Sequence, residues 1–141
     1  AYVGSATEFA SWAEAVDYAR TINGAAFPTF SDDDWHDFTR NICSERHGKV
    51  VLDYDSAIAK PMQAAQEAAV PPDLWPLFDA FGSTPLMLVR GAISDLLDTD
   101  CVAEMQRRKP AMRYVEVPDV GHAPTLAESG VSEAIVEFIN S

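Results

Sequence analysis

The sequence predicts an α/β fold in which helices fill the first part of the chain and a β-α-β-α unit with parallel strands closes it. Three observations carry this reading. Leu86-Met87-Leu88-Val89 is a continuous apolar run, as expected for a strand covered on both faces. Residues 112–117 form a second strand-like run, bounded by Pro110 and Pro118. A helical stretch at 99–109 carries Val102 and Met105 on one face, and another at 131–139 carries Val131, Ile135, Phe138 and Ile139. Strand, helix, strand and helix at this spacing imply parallel pairing with a right-handed crossover.

The elements before residue 82 read as helices with loops. Ser11-Trp12-Ala13-Glu14 has the form of a capping box, behind which Trp12, Val16 and Ala19 recur at helical spacing until Asn23-Gly24. Ser31 caps a second helix, with Phe30 and Trp35 placed as a hydrophobic staple and Phe38 and Ile42 extending the stripe. The acidic run Asp32-Asp33-Asp34 falls in a first helical turn, where the helix dipole favours it without any metal. Residues 49–52 suit a very short strand or an extended link. Residues 61–69 look helical, and Pro71-Pro72-Asp73 opens another helix ending at Gly82, with Pro76 in its first turn. The organisation expected is a mainly helical region over 1–82 and the β-α-β-α portion over 83–141.

Composition narrows the function classes. The 141-residue chain carries 22 acidic against 10 basic residues, a formal charge of −12, and no dense Lys/Arg stripe to neutralise phosphates. Nucleic acid and anionic membrane surfaces are therefore not the expected partners. Arg107-Arg108-Lys109 ends a helix, where cations complement the dipole. Cys43 and Cys101 form no CxxC motif and read as small buried hydrophobes on helix faces. His36 and His47 lack ligand spacing, so neither a metal nor a cofactor is expected. No apolar segment approaches transmembrane length and no signal peptide is visible, which points to a cytoplasmic protein. The start at Ala1-Tyr2-Val3-Gly4, without Met, reads like a cut.

In an open parallel sheet, functional groups gather beyond the carboxyl ends of the strands. Two segments lie there. Residues 90–95 follow the first strand and offer Asp95, while residues 118–124 follow the second and offer His122. An imidazole near neutrality takes a proton from a nucleophile or from water, and a carboxylate on its other nitrogen fixes the tautomer. Asp98 and Thr99 stand closer to the next helix and can cap it, which leaves Asp95 for the histidine, with Asp98 as the rival acid.

These residues also carry a resemblance. Leu-Val-Arg-Gly-x-x-Ser-Asp at 88–95, followed by Val-Glu-Val-Pro-x-x-Gly-His-Ala-Pro-Thr-Leu at 115–126, resembles the last two strands of α/β-hydrolases. The resemblance implies that Asp95 is the family's acid and His122 its histidine, and that the region before Leu86 is the lid. It is strong from about Pro72 onward and looser before. The implied partner is a small, ester-type or otherwise apolar substrate beneath the lid, with Trp75 and Phe78 as substrate-binding residues. The other lid aromatics, Trp35 and Phe38 above all, read as core.

The family's nucleophile sits on a strand-to-helix elbow of the form G-x-S-x-G, ahead of the acid. No such motif occurs in this sequence, and the nearest match, Gly130-Val131-Ser132-Glu133-Ala134, follows His122 and suits the start of the last helix. The expectation is thus a hydrolase fragment that supplies acid and base but no nucleophile, inactive alone. It is expected to pair with a missing amino-terminal half or to self-associate through an exposed strand edge. The alternative is a non-catalytic binding or structural module derived from the same fold.

Overall fold

The computed structural model describes residues 8–55 and 72–141, and the chain divides into two compact units. One comprises Ala1–Ala25 with Thr29–Pro72, the other Ala26–Pro28 with Asp73–Ser141. The helix expected at 61–69 lies outside the described residues, as do the first four residues and Ser5.

In the first unit, β1 (Glu8–Phe9) leads to α1 (Trp12–Asn23), α2 (Asp32–Ile42), β2 (Cys43–Arg46) and β3 (Lys49–Leu52). α1 begins where its cap predicts, with Ser11 Oγ accepting from the Glu14 amide at 3.2 Å. The return bond differs from the expected box, because the Glu14 carboxylate accepts from Ala10, one residue earlier, at 2.8 Å. At α2 the box closes fully between Ser31 and Asp34. The Ser31 hydroxyl and then its amide hold the Asp34 carboxyl below its ordinary value. The staple is present, with the Phe30 and Trp35 rings 5.1 Å apart and Phe38 5.7 Å from Trp35. Asp32 meets Arg20 at 2.6 Å, so two of the three clustered acids serve helix structure. Among the described residues no cluster of His, Cys, Asp or Glu could hold a metal ion.

The placement of Cys43 on a helix face is corrected. The chain leaves α2 directly into β2, turns at His47-Gly48 and returns as β3, with Arg46 opposite Lys49 and Cys43 opposite Leu52. Both turn residues have positive φ, 53° and 75°, the condition for a two-residue hairpin turn that matches strand twist. β1 pairs with the other edge of β3, and Lys49 reaches Glu8 at 2.7 Å. Cys43 is therefore a strand residue. It is buried with Phe9, Ala15 and Val50 in the unit's core, and burial pushes its thiol above the ordinary value. Cys101 is only half-buried.

The second unit contains α3 (Trp75–Asp79), β4 (Met87–Gly91), α4 (Thr99–Arg108), β5 (Arg113–Val117) and α5 (Val131–Ile139). α3 stops before the expected Gly82. Beyond Asp79, Phe81 and Gly82 donate to the carbonyls three residues earlier, so the coil tightens into turns and exits at Gly82 with φ 51°. β4 and β5 pair in parallel from Met87↔Arg113 to Gly91↔Val117, joined by α4 as the periodicity predicts. Asp98 caps α4, its carboxylate accepting from the Cys101 amide at 2.6 Å.

α5 packs on the pair and buries Val131. The expectation that the first strand is covered on both faces is not met, since Met87, Leu88 and Val89 are half-buried. Among the described residues β5 is the only strand beside β4, which leaves β4 at an edge. No helix among the described residues is long and apolar enough to cross a membrane.

The basic end of α4 is tied inward. Arg107 and Arg108 both donate to Glu104, and hydrogen bonds to Arg107 and then Arg108 lower the Glu104 carboxyl from its ordinary 4.5 to about 2. Because the folded value lies below the unfolded one, this contribution to stability is present above pH 4.5 and is lost as pH falls toward 2. The pair is solvated, so the effect is small. Glu104→Gln is expected to be slightly less stable than the parent in a urea melt near pH 7 and to match it near pH 2, so that its midpoint changes less with pH across that window.

Candidate active site

The two carboxyl ends of the parallel pair are laced together by main-chain bonds that continue past the ladder. Ala92 N–H donates to Val117 O at 2.8 Å, and Ile93 N–H donates to Val120 O at 3.1 Å. The loop bearing Asp95 and the loop bearing His122 are thus joined two residues short of each side chain. Two glycines permit this. A Cβ on Gly91 would strike the carbonyl oxygens of Val120 and Gly121, and a Cβ on Gly121 would fall 2.7 Å from Ala26 Cα. Gly121 N–H in turn donates to Ala26 O at 2.6 Å, which holds the histidine loop against the segment Ala26–Pro28.

The loop after β4 is wound about one side chain. Arg90 is only 5% exposed. Its Nε donates to Leu97 O at 2.6 Å, and its Nη1 donates to Ala92 O at 3.2 Å and to Glu116 Oε2 at 3.0 Å. Glu116 is the register partner of Arg90 on β5 and also accepts from the Tyr114 hydroxyl at 2.6 Å. Burial, and then the bond to Glu116, push the Tyr114 phenol above its ordinary value. Inside the loop, Ser94 N–H donates to Gly91 O, and Ser94 Oγ accepts from Leu97 N–H at 3.2 Å.

On the histidine side, the loop that follows His122 is fastened by Glu128 and by Ser132 of α5. The Thr125 amide and hydroxyl both donate to Glu128, and Ser132 Oγ donates to Leu126 O at 3.0 Å. Leu126 has φ 68°, a left-handed conformation that costs energy for a leucine and persists only where neighbours fix it. Ser132 is therefore occupied in the first turn of α5, as the sequence implies, and stands on no strand-to-helix elbow.

Asp95 and His122 both present solvent-exposed side chains on these adjoining loops. Asp98 stands on the acid loop's far side, engaged as the α4 cap. Trp75 and Phe78 sit elsewhere. Their rings meet at 5.8 Å, Trp75 lies beneath the Arg108 guanidinium at 4.6 Å, and Phe78 lines a shallow hollow of about 330 Å³ with Asp79, Gly82, Arg108 and Lys109. That is the carboxyl end of α4. Because α4 leads directly into β5, its carboxyl end lies toward the start of that strand. The expected substrate contact by Trp75 and Phe78 gains no support from this placement. Sequence reasoning gave Arg90 and Glu116 no role, although an arginine inside an apolar strand with an acid at the matching position of the next strand was a visible signal.

No protein-family model matches the chain. Among curated proteins it is similar to a 3-hydroxybutyrate-oligomer hydrolase from Cupriavidus necator, with 37% identity over 91% of this chain and 45% of that protein. Among solved structures it resembles an α/β-hydrolase from Novosphingobium aromaticivorans, with 34% identity and a TM-score of 0.83 over 99% of this chain and 49% of that one. An E-2-(acetamidomethylene)succinate hydrolase shares the fold at 22% identity and a TM-score of 0.68, over 98% of this chain and 48% of that one. The chain thus spans about half the length of the relatives it matches.

The close approach at Gly91 yields a direct test. In Gly91→Ala the new methyl meets two backbone carbonyls that have no rotamer to yield, so we expect a loss of about 3 kcal/mol, the upper end for overpacking, in a urea melt.

Proposed function

We propose that this chain, which belongs to the α/β-hydrolase superfamily, supplies the base and the acid of a hydrolytic site whose nucleophile comes from elsewhere. His122 is the general base, and Asp95 accepts a hydrogen bond from the other imidazole nitrogen, fixing the tautomer and stabilising the imidazolium. The observation that carries this reading is the main-chain lacing of the two loops, Ile93 N–H to Val120 O, two residues from each side chain. The cap bond at Asp98 supports Asp95 as the acid, since Asp98 is already engaged.

The reaction is the hydrolysis of an ester, and the substrate class is a short oligoester of a small hydroxy acid. The 37% identity to a protein named as a 3-hydroxybutyrate-oligomer hydrolase supports that class. In each half-reaction His122 takes a proton, first from the nucleophile and then from water, and returns it to the leaving alcohol and then to the nucleophile. With no strand-to-helix elbow in the sequence, those steps need the rest of the hydrolase fold. The half-buried face and second edge of β4 are where the remainder of the sheet, or a second copy of the chain, would sit. The exposure of His122 and Asp95 fits the same account, because a working dyad is shielded from water.

The test is to purify the chain alone and co-expressed with the polypeptide encoded directly upstream, and to assay p-nitrophenyl butyrate and 3-hydroxybutyrate dimers. The chain alone is expected to be inactive and the pair active. In the pair, His122→Ala and Asp95→Asn should each lower kcat by about 10³- to 10⁴-fold. Turnover that His122→Ala leaves intact would remove His122 from the chemistry. Turnover by the chain alone, lost in His122→Ala, would place the nucleophile within it.

A further inference from the structure

Arg90 carries a structural oddity that the proposed chemistry does not by itself explain. It is a guanidinium with only 5% exposure at the end of a strand, and two of its three hydrogen bonds go to the loop that follows. The two carbonyls it holds, Ala92 O and Leu97 O, bracket the segment 93–96 that presents Asp95. The third acceptor, Glu116, lies on the strand that leads to the His122 loop. One side chain therefore fixes both ends of the acid loop and ties it to the neighbouring strand.

We propose that Arg90, anchored by Glu116, is a positioning residue for the active-site acid, setting where Asp95 stands relative to the His122 loop. The inference rests on the reading of Asp95 and His122 given above. Arginine suits the task because its rigid planar fork holds several acceptors at fixed angles, whereas an ammonium on a flexible stem does not. Ser94 Oγ, accepting from Leu97 N–H, closes the inner turn, and Arg90 closes the outer one. Tyr114 steadies the anchor by donating to the same Glu116 oxygen.

A misplacement of a catalytic group by about 1 Å costs on the order of 100-fold in rate, which sets the size of the effect. The experiment is a double-mutant cycle in the reconstituted enzyme, with kcat and KM measured for Arg90→Lys, Arg90→Met and Glu116→Gln, each with Asp95 and in the Asp95→Asn background. With Asp95 present, Arg90→Met should lower kcat by about 10- to 100-fold and leave KM within about threefold, Arg90→Lys and Glu116→Gln having smaller effects in the same direction. With Asp95→Asn, the same three substitutions should change kcat by less than about twofold, because a group that acts through the carboxylate has nothing left to position.

Equal losses in both backgrounds would show Arg90 to be a general scaffold residue and overturn the proposal. So would unchanged kcat in Arg90→Lys and Glu116→Gln with Asp95 present. If Arg90→Met proves too unstable to purify, those two variants decide the matter alone. The failure of the functional reading is told apart because Asp95→Asn would then itself leave kcat unchanged.

Discussion

Two backbone hydrogen bonds past the end of the β4–β5 ladder fix the segments that follow the two strands of the second unit to one another. Ala92 to Val117 and Ile93 to Val120 extend the pairing into what would otherwise be two independent loops. Parallel strands alone bring their carboxyl ends near one another, but only to within the freedom of the loops that follow. The bonds remove that freedom, and Gly91 makes them possible by offering no side chain where the neighbouring carbonyls pass. From this constraint come the juxtaposition of the acid and histidine loops, the burial of Arg90 beneath one of them and the docking of Gly121 on Ala26.

Much of this was legible in the sequence because it follows from local rules. The apolar run before Arg90, the proline-bounded strand at 113–117 and the two amphipathic helices specify the β-α-β-α unit through periodicity alone. The caps at Ser11, Ser31 and Asp98 are equally local. The hairpin at Cys43–Leu52 escaped because Cys-Ser-Glu-Arg is neither alternating nor β-branched, and its strand character comes from pairing with Val50 and Val51. The signal that existed was His47-Gly48, a turn dipeptide before Lys-Val-Val. The partial burial of β4 was illegible for another reason. An apolar run reports how much cover a strand requires, not how much is present in the polypeptide at hand.

The site itself shows the same division. Asp95 and His122 stand out because their residue types follow strands and fit a family pattern, whereas the lacing and the guanidinium clamp depend on register across the sheet. Trp75 and Phe78 precede β4 and so stand toward its amino end, where Trp75 lies beneath the Arg108 guanidinium.

The crossover has a consequence for the order in which the molecule assembles. The β2–β3 hairpin closes through a two-residue turn, while the partners Arg90 and Glu116 are 26 positions apart. Closing the longer loop requires α4 to form and dock before any ladder bond compensates its lost entropy. Nascent chains should therefore acquire the hairpin early and the clamp late.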